Sequence, residues 1–318
     1  MPPLQYGTYA VPRADLGEAY HEYDMSAAGF IAQDVFPDRP VTKKAATVSV
    51  ITRESILKRA NSLHANGAVF NRIGIGGEDL AYSCRDRGLE AQLTDTDRAN
   101  YVSDFDAELE TVDILRHKIL MEKEIRVATL TFNTNTWTGA ALFTDNSGSP
   151  WSTAATEVIA QVQAVKEKVR EATGMVPETL VIGEKALNNM LKNTGIIARF
   201  PGITVLTEAV LRSQLAGILG LRELFVGRKT YDSADEGQSF TAADVWSGSY
   251  AMVLRRNTGG LRSGGLGRTF RWQLMDTGGV PIVQYREVQT ESDIFRGREF
   301  VEEKVFDAAF AHLMQIEA

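Results

Sequence analysis

A stretch of about thirty residues, 104–132, reads as one long amphipathic helix, and the roughly ninety residues before it do not read as a core. That order is unusual in an enzyme. Phe105, Leu109, Val112, Leu115 and Ile119 recur at helical spacing, and a second apolar line runs through Met121, Ile125, Ala128 and Phe132. Asp113, Arg116, Lys118, Glu122 and Lys123 between them predict a wet face. Lys118 and Glu122 stand one turn apart and are placed to pair, which is worth roughly 0.3 kcal/mol.

The ninety residues divide in two. Residues 1–45 carry Pro2, Pro3, Pro12, Pro37 and Pro40 and read as an extended N-terminal arm, with an apolar cluster at 29–35 that predicts a local helix. Residues 46–93 read as a long hairpin. Its first strand lies in 47–57, with Val48 and Val50 facing one way. Its second strand alternates through Leu80, Tyr82 and Cys84 and continues through Leu89, Ala91 and Leu93. Gly67, Gly74, Gly76 and Gly77 supply a flexible tip. A pair this polar does not fold alone, so it needs a partner surface.

After the long helix, 133–150 is loop-like, and Ser152 or Thr153 is placed to cap a helix that buries Val158, Val162, Val165 and Val169. Gly174 ends that helix, with Pro177 beyond. A buried strand at 179–182, a helix at 184–192, a further helix capped by Thr207 and a strand at 224–226 suggest a compact α/β unit. Residues 246–255 and 270–275 read as strands around a Gly-rich segment, and 280–316 returns to strand patterns. Overall the chain predicts an α+β protein.

Composition narrows the functional classes. The chain has 318 residues, an ordinary apolar share of 44% and a net charge of −7, with basic residues scattered rather than blocked. Tight nucleic-acid binding through phosphate neutralisation is not expected. The lone Cys84 excludes an intrachain disulfide and fits a reducing cytoplasm during synthesis. Residues 1–13 lack the apolar core of a signal peptide, and no segment approaches the roughly twenty apolar residues that cross a bilayer. A soluble protein with no membrane partner is expected.

Arm, glycine-tipped hairpin, long helix, α/β unit and a β-rich return, in that order, resemble the major capsid proteins of tailed bacteriophages, the Hong Kong 97 type. The stretches that carry the resemblance are the helix at 104–132, the run 155–191 that includes LVIGEKALNNMLK, and the closing VFDAAFAHL at 305–313. The resemblance implies an N-terminal arm (1–45), an extended hairpin loop (46–93), a peripheral domain with a spine helix (94–150) completed by C-terminal strands (266–318), and an axial α/β domain (151–265). It also implies a partner: further copies of the chain, in pentamers and hexamers of an icosahedral shell around a portal. The shell would enclose double-stranded DNA without reading its sequence, in a virion assembled in the host cytoplasm. Capsid subunits that carry their own scaffold begin with a long charged helical extension. This sequence shows none before the arm, so a separate scaffolding protein is expected unless this chain is a processed form. Others crosslink through a hairpin lysine, yet 66–79 contains none. Noncovalent wrapping or an added cement protein is expected instead.

Physics supports a wrapping element independently. Ordering about ninety residues costs roughly 1–2 kcal/mol each, which contacts outside the segment must offset. Obligate interfaces are built from such elements. At the hairpin tip Arg72, Gly74, Gly76, Gly77, Glu78 and Asp79 form the expected subunit interface, with glycines that let it change angle and charges that meet a neighbour's or stay solvated.

Signatures of chemistry are weak. His21, His64, His117 and His312 are isolated, without zinc-ligand spacing, and read as surface or interface residues. Cys84 sits in a strand alternation and reads as packing. The glycines at 74–77 and 259–267 do not continue into a phosphate-loop motif and read as flexible turns. Asp104, Asp106, Glu108, Glu110 and Asp113 are acids favoured by a helix N-terminus. Arg255, Arg256, Arg262, Arg268 and Arg271 form the strongest basic cluster, open to a role facing packaged DNA or a subunit contact. No catalytic residue, metal site or cofactor is expected. The rival readings are an encapsulin-type nanocompartment shell and a soluble cytoplasmic α/β enzyme.

Overall fold

The computed structural model describes residues 29–63, 69–101, 106–199, 214–259, 263–273 and 282–317. They fall into two compact units. The smaller takes its residues from within 88–119 and 277–299, and the larger from within 28–87, 120–276 and 300–318.

The larger unit is built on a five-stranded sheet. Its order is Phe143–Asp145, Ala311–Gln315, Tyr250–Leu254, Thr179–Gly183 and Glu223–Gly227. The two outer pairings are parallel and the two inner ones antiparallel. The apolar runs at 179–183 and 250–254 lack a polar alternation because both faces of the sheet are covered. Leu180, Ile182, Ala251, Val253 and Met314 pack on one side with the helices Val158–Thr173 and Glu184–Leu191. Val181, Met252, Leu254 and Leu313 pack on the other with Val127, Trp137 and Trp246.

The helix Val158–Thr173 follows its sequence pattern closely: Val158, Val162, Val165 and Val169 are all buried. Gly174 ends it in the left-handed region at φ 71°, where its N–H returns to the Arg170 carbonyl. Ser152 and Thr153 do not cap this helix; it starts six residues after Ser152, with Glu157 at its N-cap position. Buried Trp151 and a turn through 150–156 occupy the intervening stretch. The helix expected from Thr207 lies outside the described residues.

The second apolar face of the sheet contains a surprise for the arm. Ile31, Ala32, Val35 and Phe36 are core residues, carried by the short helix Ala32–Val35. The Ile31 and Ala32 amides donate to the Glu124 carboxylate at 2.9 and 2.8 Å, and the Trp246 indole N–H donates to it at 2.5 Å. Asp38–Val41 then runs parallel to Gly267–Trp272 as a strand. Asp38 receives Lys123 at 2.9 Å and Arg271 at 2.7 Å. Residues 31–36 thus belong to the core, against the expectation that the ninety residues before the long helix hold none.

These contacts also correct the reading of the long helix, Ala107–Thr131. Leu115, Ile119, Val127 and Ala128 are buried as expected, but so are Lys123 and Glu124, while Leu109 is exposed. Charged groups turn inward because a segment some ninety residues away supplies their partners, which helical periodicity cannot see. Glu122 pairs with Arg126 at 2.7 Å and Arg87 at 3.0 Å, and Lys118 stays exposed. Phe105 lies outside the described residues.

In the smaller unit Ile282–Glu287 pairs antiparallel with the first half of Ser292–Val305. Leu93, Leu115, Ile119 and Phe295 form its core. Asp97 and Thr94 exchange hydrogen bonds at the start of the helix Asp95–Tyr101, and Asp106 accepts the Glu108 and Leu109 amides at 3.1 and 3.2 Å. The acidic helix start acts as a cap.

Candidate subunit interface

The hairpin is an antiparallel pair, Ala45–Ile51 with Gly77–Ser83, in register from Ala45 opposite Ser83 to Ile51 opposite Gly77; the expected bounds are corrected, since 53–57 is helical and Arg85–Thr94 is a separate strand paired with Ser292–Val305. Its two ends differ in chemistry. At the base, the Tyr82 ring stacks on Phe270 with centroids 4.4 Å apart, and Lys44 lies 5.4 Å over the Phe300 ring. The Trp272 indole donates to the Thr42 carbonyl at 3.1 Å. Cys84 is buried beside this cluster with Sγ 3.7 Å from the Phe270 carbonyl. Burial, with Glu302 nearby, pushes its thiol up to about 11, so at neutral pH it packs and does not act as a nucleophile.

The far end is polar in its backbone ties and apolar in its surface. The helix Arg53–Leu57 follows the first strand, and Ser55 Oγ accepts the Gly76 amide at 2.9 Å. Ser49 Oγ donates to Asp79 at 2.8 Å. Gly77, Glu78 and Asp79 are strand residues opposite Ile51, Val50 and Ser49. Gly76 to Asp79 are thus brought against 49–55, whereas Arg72 and Gly74 stand in the irregular segment before them, exposed. Arg72 and Glu78 make no ion pair among the described residues. Gly74, Gly76 and Gly77 do not adopt positive φ, so no left-handed turn requires them.

Sequence reasoning singled out the charges and glycines and missed the apolar side chains among them. Ile56, Ile73 and Ile75 are 72%, 74% and 81% exposed, and Ile51, Leu57 and Val69 are exposed as well. Branched residues beside glycines in a segment without core periodicity were the available signal. Side chains of this kind left in water within one stretch form an exposed apolar surface.

The other candidate features resolve into structure. Arg255 lies 3.6 Å from Glu178, Arg256 pairs with Glu223, and Arg271 pairs with Asp38. Arg268 donates to Asn257 at 2.6 Å and to the Gly259 carbonyl. The arginine cluster is therefore mostly spent on ties within the subunit; Arg262 lies outside the described residues. The Gly-rich turn is a close-packing device rather than only a flexible one, since a Cβ on Gly267 would stand 2.2 Å from the Lys304 carbonyl oxygen. His312 is a correction: it is fully buried, bonded through Nε2 to Thr144 Oγ1 at 2.7 Å and through Nδ1 to the Ala141 carbonyl at 3.0 Å. His21 and His64 lie outside the described residues. Among the described residues no three metal-ligating side chains come together, and no helix is long and apolar enough to cross a membrane.

Similarity to known proteins bears on this architecture. No family model matches the chain. It is 25% identical over 282 residues to the major capsid protein of Burkholderia phage BcepMu, covering 85% of this chain and 87% of that protein. It is 21% identical over 243 residues to the major capsid protein of Pseudomonas phage JBD67, covering 76% and 77%. Among solved structures it superposes on a phage-related protein from Bordetella bronchiseptica RB50 with a TM-score of 0.68 at 16% identity, covering 91% and 93% of the two chains. It superposes on the capsid of Cyanophage P-SCSP1u with a TM-score of 0.60 at 15% identity, covering 98% and 95%. The chain has the phage major capsid fold. The SrpI encapsulin of Synechococcus elongatus PCC 7942 is a more distant neighbour of this capsid fold, with a TM-score of 0.56 at 9% identity over 95% and 93%.

Proposed function

We infer that the chain is a phage major capsid protein, the repeated subunit of a phage head. Two curated relatives named as major capsid proteins, each matched over three-quarters or more of its length, support this reading together with the capsid fold. The encapsulin shares the fold but stands further off in TM-score and identity, so the phage reading is preferred.

The finer proposals rest on chemistry. The partner of the hairpin's far end is a second copy of the chain, reached through 72–79 and the exposed isoleucines around them. Burying side chains of that size stabilises by roughly 1.5–3 kcal/mol each, against the 0–1 kcal/mol of an exposed ion pair, so the apolar residues carry the contact and Arg72, Glu78 and Asp79 tune it. Copies are proposed to close into pentamers and hexamers of an icosahedral shell holding double-stranded DNA, aided by a portal and a separate scaffolding protein and held by noncovalent wrapping or an added cement protein. A net charge of −7 and internally paired arginines suit a container that does not grip its contents. The peripheral part (94–150 and 266–318) and axial part (151–265) are proposed from element order. Strands Phe143–Asp145 and Ala311–Gln315 pair into the axial sheet, so the boundary crosses a shared sheet.

Sedimentation velocity on the purified protein, with and without the scaffold encoded beside it, tests the reading. Megadalton particles are expected; a discrete small oligomer under both conditions contradicts it. Terminase and portal genes beside the coding sequence separate a phage head from an encapsulin.

A further inference from the structure

The hairpin is fastened to its own subunit at both ends, and the two fastenings are unlike. The base is set in an aromatic cluster of Tyr82, Phe270, Phe300 and Trp272. Among the described residues, the ion pair of the far end comes from the helix Arg53–Leu57: Arg53 Nη1 donates to both carboxylate oxygens of Asp307, at 3.1 and 2.9 Å. Both partners keep about a third of their side-chain surface in water, at 30% and 31%. Beside the pair, Leu57 Cδ2 lies 3.2 Å from where a Cβ would stand on Gly174, and Leu57 still leaves more than half its surface exposed.

The helix Arg53–Leu57 is tied to the opposite side of the hairpin. The Thr52 amide reaches the Gly76 carbonyl at 3.4 Å and Ser55 Oγ holds the Gly76 amide, which joins the two sides of the far end. Letting go of Asp307 therefore loosens this end, with Ile51 and Ile56, leaving only the lighter Leu57 contact at Gly174 among the described residues, while the base stays seated. An ion pair this wet opens readily and is weakened by salt.

We propose that Arg53–Asp307 is a self-docking latch that holds the apolar far end of the hairpin against its own subunit, and that opening it frees this end to dock on a second copy. This rests on the reading of the hairpin as an intersubunit element. The latched end already leaves Ile51, Ile56, Ile73 and Ile75 in water, so the latch does not hide them; it fixes the pose of this end, and premature association is slowed because the latched fraction cannot swing onto a neighbour.

The test uses Arg53→Gln, which removes the charge, and Arg53→Lys, which keeps it; Asp307 is left alone because its carboxylate also caps the turn at Ala309. Hydrogen exchange on the unassembled full-length subunit is expected to show the amides of 53–58 exchanging roughly two- to fivefold faster in Arg53→Gln, with 179–183 unchanged and Arg53→Lys close to the parent. Added salt should move the parent toward Arg53→Gln and leave that variant unmoved. In assembly followed by light scattering, Arg53→Gln should show a shorter lag than the parent. Unchanged exchange in Arg53→Gln overturns the latch, as does faster exchange with slower assembly, which would make the pair a preorganising contact. If no variant forms shells even with scaffold while the exchange difference holds, the Arg53–Asp307 tie stands as a contact within the subunit, and the capsid reading falls together with the docking role.

Discussion

Glu124 shows how much one residue can carry. Its carboxylate is fully buried and accepts two backbone amides and an indole N–H, which joins the 31–36 segment to the long helix and to Trp246. Burial raises its pKa above the ordinary carboxylate range, and the three donors work against that rise. Replacing Glu124 with alanine strands those donors in the core and is expected to cost about 3 kcal/mol or more in urea unfolding, with Glu124→Gln costing less because an amide oxygen still accepts. Equal stability of all three proteins would contradict the assignment. His312 is the matching case for pH. Burial, with Lys168 nearby, holds its imidazole down to about 4 against 6.5 when unfolded. The unfolded chain takes up a proton between those values that the folded chain refuses. Stability is therefore full above about pH 6.5 and falls as pH drops toward 4, by up to roughly 3 kcal/mol. Urea midpoints at several pH values should show this slope in the parent and a shallower one in His312→Gln.

Among the elements, legibility in the sequence followed the range of the interactions. The helix Val158–Thr173 was readable because its four valines and its terminal glycine act within a few residues of one another. The strand Thr179–Gly183 was readable from a short apolar run between a turn and a helix. The hairpin strands were readable only in their inner parts: the alternation through Leu80 and Tyr82 marks Gly77–Ser83, but 53–57 turns helical and Arg85–Thr94 leaves the hairpin to pair with Ser292–Val305. The core role of 31–36 was not, because it depends on Glu124 and Trp246, far along the chain. Nor were the inward-facing Lys123 and the buried His312, whose polar partners are distant in sequence. The candidate interface was half legible: glycines and charges draw attention, whereas the exposure of Ile73 and Ile75 is a property of the fold. At this scale the account predicts that Ile73→Ser with Ile75→Ser leaves thermal unfolding of the unassembled subunit within about 0.5 kcal/mol of the parent, as for surface positions, and abolishes particle formation. Loss of subunit stability with assembly intact would show that these side chains serve the monomer instead.

For the whole molecule, the telling combination is a well-packed α/β sheet carrying a hairpin whose apolar side chains the subunit leaves in water. A subunit that completes its burial on a neighbour accounts for such a surface. Electron microscopy of negatively stained particles from the purified chain, assembled with its scaffold if one is encoded beside it, tests this most directly. The account predicts closed shells, or rings, tubes and sheets built of capsomers. A homogeneous monomer or dimer in the presence of scaffold would contradict it.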